Sequence, residues 1–139
     1  MFALLLGMGK IERFEDLEIW KIAKQIGIEA YRISDVEPMK SDFGLKDQFR
    51  RAAMSMSDNI AEGFEYNNNP DFIRFLVYAK GSSGEFRNKI IILKEAKKMD
   101  DKNYLAFYNL CIEFSAKTKR FIDYLKNFEK NKKLLKKKI

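Results

Sequence analysis

The residues that would do chemistry in this chain are few, and the missing types matter as much as those present. There is no histidine and one cysteine, Cys111, among 139 residues. Without histidine there is no Ser-His-Asp triad, Cys-His pair, His-ligated zinc or Glu-x-x-His di-iron site, and one cysteine forms neither an internal disulfide nor a cysteine metal cluster. What is left for acid-base work is a pair of carboxylates, Glu62 and Glu85, on neighbouring predicted helices. Acids on such helices are ordinarily solvent-facing or salt-bridged, and nothing in the sequence fixes their separation. Gly81-Ser82-Ser83-Gly84 is not a phosphate loop, because it lacks the Gly-Lys-Ser/Thr ending and follows no strand. A non-enzymatic protein without cofactor or metal is the expectation.

Charge offers a second chemistry. The net charge is +7, but Lys130, Lys132, Lys133, Lys136, Lys137 and Lys138 supply six of those charges with no acid among them, so the body of the chain is nearly neutral. This segment, residues 130–139, is either a solvated, frayed tail or an extension of the last helix carrying Leu134 and Leu135. Lys46, Arg50, Arg74, Lys80, Arg87 and Lys89 are the further candidates for phosphate contact, chosen by charge alone. Lysines without motif geometry imply sequence-independent, salt-sensitive binding of RNA or DNA. The basic end holds only Leu134, Leu135 and Ile139 as apolar anchors, too few for a membrane surface. No apolar run is long enough to span a bilayer or form a signal core, so a cytoplasmic location is expected.

The elements that must position these residues are helical. Apolar residues recur at three and four, only Pro38 and Pro70 occur, and no Asn-Gly or Asp-Gly hairpin signal is present. A first helix is predicted from Glu15 or Asp16, with Ile19, Ile22, Ala23, Ile26, Ala30 and Ile33 inward, ending before Pro38. A second runs from a Ser41 or Asp42 cap through Leu45, Phe49, Ala52, Met56 and Ile60 to Gly63, which suits a left-handed C-cap. After a loop over 64–68, Asn69-Pro70-Asp71 predicts an Asn cap and a third helix running to Lys97-Lys98. Asp100 or Asp101 caps a fourth, whose stripe runs from Tyr104 through Phe107, Cys111, Phe114, Thr118, Phe121 and Leu125 to Phe128. Four amphipathic helices with short loops predict an all-α, antiparallel up-down-up-down bundle over residues 10–129.

Two features exceed a plain bundle. Gln48, Arg51, Ser55, Asn59 and Glu62 form a polar stripe on the second helix, either a solvated face or a hydrogen-bonded network, in which Arg50 or Arg51 would pair with Glu62 or Glu85. Two glycines in four residues of the third helix call for a kink or, preferably, close approach of a neighbouring helix, with the serines bonding across it. Cys111 lies on the apolar stripe and reads as a small buried hydrophobe.

Together, residues 10–20 (Lys-Ile-Glu-Arg-Phe-Glu-Asp-Leu-Glu-Ile-Trp), residues 44–53 (Gly-Leu-Lys-Asp-Gln-Phe-Arg-Arg-Ala-Ala), Asn59-Ile60-Ala61-Glu62-Gly63, Phe72-Ile73-Arg74-Phe75-Leu76, Ala79-Lys80-Gly81-Ser82 and Glu85 carry a resemblance. The chain resembles, over roughly residues 10–125, the four-helix bundle proteins encoded in 23S ribosomal RNA intervening sequences. That family is similar in fold to the accessory variability protein of diversity-generating retroelements. The resemblance implies a ring-shaped homopentamer without enzymatic activity, suspected of binding nucleic acid, with a reverse-transcriptase-like protein as a further partner. It carries Gln48, Arg50, Arg51, Asn59, Glu62, Gly63, Ser82 and Glu85 over as motif positions, assigned first to polar contacts within or between bundles. The loop after Gly63 departs from the family in having no base, and residues 1–9 lie outside the resemblance as an extra segment. A protein-protein scaffold with no nucleic-acid role is the alternative.

Overall fold

The computed structural model describes residues 11–138; the extra segment expected over residues 1–9 lies outside them. A 3-10 turn, Phe14–Asp16, leads into four helices: α1 (Glu18–Ser34), α2 (Phe43–Glu65), α3 (Asn69–Glu95) and α4 (Asp101–Lys137). No strand occurs among the described residues, so the all-α expectation stands.

The start of α1 differs from its predicted place. Asp16 turns back to accept the N–H groups of Glu12 and Arg13, both at 3.1 Å, which closes a separate turn; Leu17 follows in extended geometry and is fully buried. Those two backbone donors hold the Asp16 carboxyl below its usual range. The predicted inward positions of α1, Ile19, Ile22, Ala23, Ile26, Ala30 and Ile33, are all buried. Asp42 caps α2 by accepting from the Leu45 N–H at 3.2 Å, and Asp100 caps α4 by accepting from the Asn103 N–H at 2.7 Å.

Three helix-end expectations are corrected. Gly63 does not end α2; the helix continues to Glu65, and Asn67, at φ 60, takes the left-handed position, which asparagine tolerates. Gly63 instead meets α3, where a β-carbon would lie 2.4 Å from the Phe75 Cβ. The α3 cap is Asn68, which accepts from the Asp71 N–H at 2.8 Å, while Asn69 is buried in the first turn and donates to Glu129 at 2.8 Å. At its other end α3 stops at Glu95. Lys97, at φ 60, and Lys98 donate their N–H groups to Lys94 and Leu93, closing a Schellman turn.

The core is aromatic on three helices and aliphatic on the fourth. Phe49 (α2), Phe86 (α3) and Phe107 (α4) form a triangle of rings with centroids 5.3–5.8 Å apart, and Phe72 and Phe121 continue it at 5.6 Å. Isoleucines and alanines of α1 close this core. α1 packs on α2 and α4, and α3 packs on the same two, so α1 and α3 face each other diagonally. At the start of α4 Asn103 accepts from Arg32, near the end of α1 (3.0 Å); farther along, Lys117 pairs with Glu18 at the start of α1. The buried stripe of α4 ends at Leu125; Phe128 is exposed.

The Gly81–Gly84 segment does not break α3, which runs as one helix from Asn69 to Glu95. A β-carbon at either glycine would meet nothing within 4 Å, so close packing inside the chain is not their role. Alanine should therefore act oppositely at these sites. Gly81→Ala and Gly84→Ala are each expected to stabilise by up to about 1 kcal/mol through helix propensity. Gly63→Ala, which forces Phe75 aside, is expected to destabilise by about 1–3 kcal/mol. Urea midpoints of the three variants check both signs.

Candidate functional site

A groove of about 770 Å³ runs along the outward face of α2 and the end of α1. Its best-anchored member is Arg50. Its Nε donates to Ser34 Oγ at 2.7 Å, its Nη2 donates to Asp35 Oδ1 at 2.6 Å, and its guanidinium lies 4.3 Å from the centre of the Tyr31 ring. Arg50 thus ties α1 to α2. Lys46 stands 3.7 Å from the same Asp35 carboxylate. One position on, Arg51 is 79 % exposed and reaches only Asp47 at 2.9 Å, a surface pair of little energetic weight. Asp58, Asn59 and Glu62 line the groove toward the other end of α2.

The polar stripe forms a network only in its middle. Ser55 Oγ and Ser82 Oγ lie 2.8 Å apart across α2 and α3, and Asn59 donates to the Ser55 carbonyl at 2.8 Å and to its hydroxyl at 3.3 Å. The Arg–Glu pairing does not form, because Arg50 and Arg51 are taken by Asp35 and Asp47. Glu62 and Glu85 are both exposed and make no ion pair among the described residues. Gln48 lies off the main groove, beside Lys89 in a smaller one lined by Leu45, Phe49 and Leu93. Five groove residues are not among the predicted site residues: Tyr31, Asp47, Met54, Asp58 and Phe43, which is 78 % exposed. The signal at Phe43 is that Lys46 and Asp47, three and four residues on, offer it no apolar neighbour on its helix face.

The other candidate cations of the body, Arg74, Lys80, Arg87 and Lys89, do not form one cluster. Arg74 pairs with Asp71 at 3.2 Å and lies 4.6 Å from the centre of the Phe75 ring. Lys80 and Arg87, seven residues apart on α3, share one face and are half-buried, while Lys89 is in the smaller groove. The lysine-rich end is different. α4 stays helical through Lys137, and Lys130, Lys132, Lys133, Lys136, Lys137 and Lys138 are all exposed, with no ion pair among the described residues. Leu134 and Leu135 on the same extension are exposed as well.

Among the described residues no cluster of three or more Asp, Glu or Cys side chains is placed to hold a metal ion. Cys111 is buried, and burial pushes its thiol up to about 12, the field of Arg87 acting the other way. Ellman's reagent at pH 8 should therefore react with the native chain at least about 100-fold more slowly than with the urea-unfolded chain. No helix among the described residues is long and apolar enough to cross a membrane.

Fold and site together define a four-helix all-α protein with a charged groove and a basic helical extension. Its family follows from the sequence: the model of the 23S rRNA-intervening sequence protein family matches residues 15–120, and the chain belongs to that family. The crystal structure, at 1.70 Å, of a protein of unknown function from the S23 ribosomal protein family of Bacteroides thetaiotaomicron VPI-5482 has the same fold. It aligns with a TM-score of 0.67 over 75 % of this chain and 97 % of that one, at 19 % identity. No curated protein matches the sequence.

Proposed function

We propose that this protein is a non-enzymatic, oligomeric module that binds nucleic acid, RNA foremost, through the phosphate backbone and without sequence preference. The observation that carries the reading is the extension of α4: six exposed lysines, five on a continuous helix and the sixth at its C-cap, none neutralised by an acid of the described chain. Residues 130–137 add about 12 Å of cationic rod at 1.5 Å per residue. Such a surface gains affinity by releasing counterions from phosphates rather than by reading bases. The extension lies outside the residues that the family model matches, so the binding is a property of this chain rather than one borrowed from the family.

The same reading takes the bundle as antiparallel, up-down-up-down, supported by the contacts that join the end of α1 to the start of α4 and the start of α3 to the end of α4. It takes the assembly as a ring-shaped homopentamer, which would display five basic helices together and raise avidity. No cofactor is needed. A protein partner, reverse-transcriptase-like or other, is favoured by one observation: Val77, Ile91 and Ile92 on α3 and Leu105 and Ile112 on α4 are large aliphatic side chains left exposed.

Fluorescence anisotropy with single-stranded RNAs of unrelated sequence, a structured RNA and duplex DNA tests the reading at low salt. Affinities within about ten-fold of one another for the unrelated single strands are expected, since each ten-fold is 1.4 kcal/mol and base contacts are worth about 1–3 kcal/mol each. Absence of binding at low salt would leave the scaffold role in its place.

A further inference from the structure

The outward face of α2 carries a charge order that the folded chain does not explain. Lys46, Arg50, Met54, Asp58 and Glu62 recur at every fourth residue, a single ridge of the helix, and all five line the 770 Å³ groove. The order along the ridge is positive, positive, apolar, negative, negative. It opposes the helix macrodipole, which favours acids in the first turn and bases in the last; α2 has no acid in its first turn and no base in its last. Inside the chain the basic end is answered by Asp35 and Asp47. The acidic end is not: Asp58 and Glu62 are exposed and make no ion pair among the described residues.

We propose that this face docks a second copy of the same chain through a two-fold contact centred on Met54. A two-fold axis perpendicular to α2 sets the two α2 helices antiparallel, so residues equally far before and after Met54 face one another. Arg50 and Asp58 each stand four residues from Met54, and Lys46 and Glu62 each stand eight. The pairing therefore brings Arg50 and the neighbouring Arg51 of one copy to Asp58 of the other, and Lys46 to Glu62, twice over by symmetry. The two macrodipoles oppose each other, which removes the unfavourable placement that each copy has alone. Met54 supplies the apolar centre, and Phe43 is an exposed ring at the basic end for the contact to cover. Such a contact is isologous and closes at two, so it joins chains or whole rings in pairs and does not itself build a five-fold ring. It does not rest on the nucleic-acid reading.

Charge reversal tests the pairing, with Arg50 spared because it ties α1 to α2. One variant carries Lys46→Glu and Arg51→Glu, and the other carries Asp58→Lys and Glu62→Lys. All four sites are exposed or half-buried, and circular dichroism checks that each variant keeps its helices. Native mass spectrometry of the full chain at low ionic strength reads the result. The wild type is expected at an even multiple of the chain mass, and each variant alone at half the wild-type mass. Mixing the two variants is expected to restore the full mass in a species holding equal numbers of both. Wild-type mass retained by either variant, or failure of the two to combine, would overturn the proposal. Unchanged mass with loss of RNA binding in the Lys46→Glu, Arg51→Glu variant would overturn it too and assign the groove to nucleic acid.

Discussion

Replacing Phe49 with alanine is expected to destabilise the fold by about 3–5 kcal/mol, the range for removing a fully buried phenyl ring and leaving a cavity. Phe49 has no exposed surface and holds the corner at which α2 meets both partners, 5.3 Å from Phe86 and 5.8 Å from Phe107. Three helices lose packing at one point, and rigid helix backbones restrict collapse into the gap. With an m-value of about 2 kcal/mol/M, the urea midpoint should fall by about 2 M at fixed protein concentration. Phe128→Ala is the matched control: the same truncation on an exposed ring of α4 should move the midpoint by little. Equal shifts at both positions would refute the core assignment.

Ending the chain at Glu129 is expected to have the other large effect, on binding rather than stability. The last buried residue of α4 is Leu125, and Asn69 ties α3 to Glu129 itself, so truncation there leaves the core and this tie in place. It removes six exposed lysines. For single-stranded RNA, six phosphate contacts correspond to a slope of about −4 in log K against log salt, or an affinity change of roughly 300-fold between 50 and 200 mM. Loss of the extension should accordingly weaken low-salt RNA binding by at least about 100-fold while the melting temperature stays within a few degrees. Binding that survives truncation would move the interface to the helical body, where Arg51 and Arg74 are exposed among the candidate cations.

What the sequence makes legible follows how local each signal is. Asp42 and Asp100 were readable as caps because a cap joins a side chain to a backbone N–H three residues away and needs nothing else. The inward stripe of α1 is equally local in origin, since a fixed helical period maps directly to one face. Gly63 was not readable in this way. Its glycine is required by Phe75, a residue of the next helix, and Asn67 could serve the left-handed turn in its stead. Gly81 and Gly84 share the difficulty in reverse, because only the packed structure reveals that open space lies beside them.

The site divides along the same line. That Lys130 and its neighbours would be solvent-facing was legible from composition; that they extend α4 required knowing that the helix continues past its core. Arg50 and Arg51 are adjacent in sequence and 100° apart on the helix, and the apolar stripe of α2 is too broad to decide between them. The partners decide: Ser34, Asp35 and the Tyr31 ring, all near the end of α1, capture Arg50 and leave Arg51 in solvent. Pairing of either arginine with Glu62 or Glu85 failed as an expectation because nearer partners take both: Ser34 and Asp35, sixteen and fifteen positions earlier, hold Arg50, and Asp47, four positions earlier, holds Arg51.

Backbone-directed binding of nucleic acid by the basic end of α4 stands or falls on the salt dependence of single-stranded RNA affinity for the full-length chain. A linear plot of log K against log salt with a slope near −4, independent of the RNA sequence, is expected. A slope near zero, or no measurable binding at 50 mM salt, would contradict it.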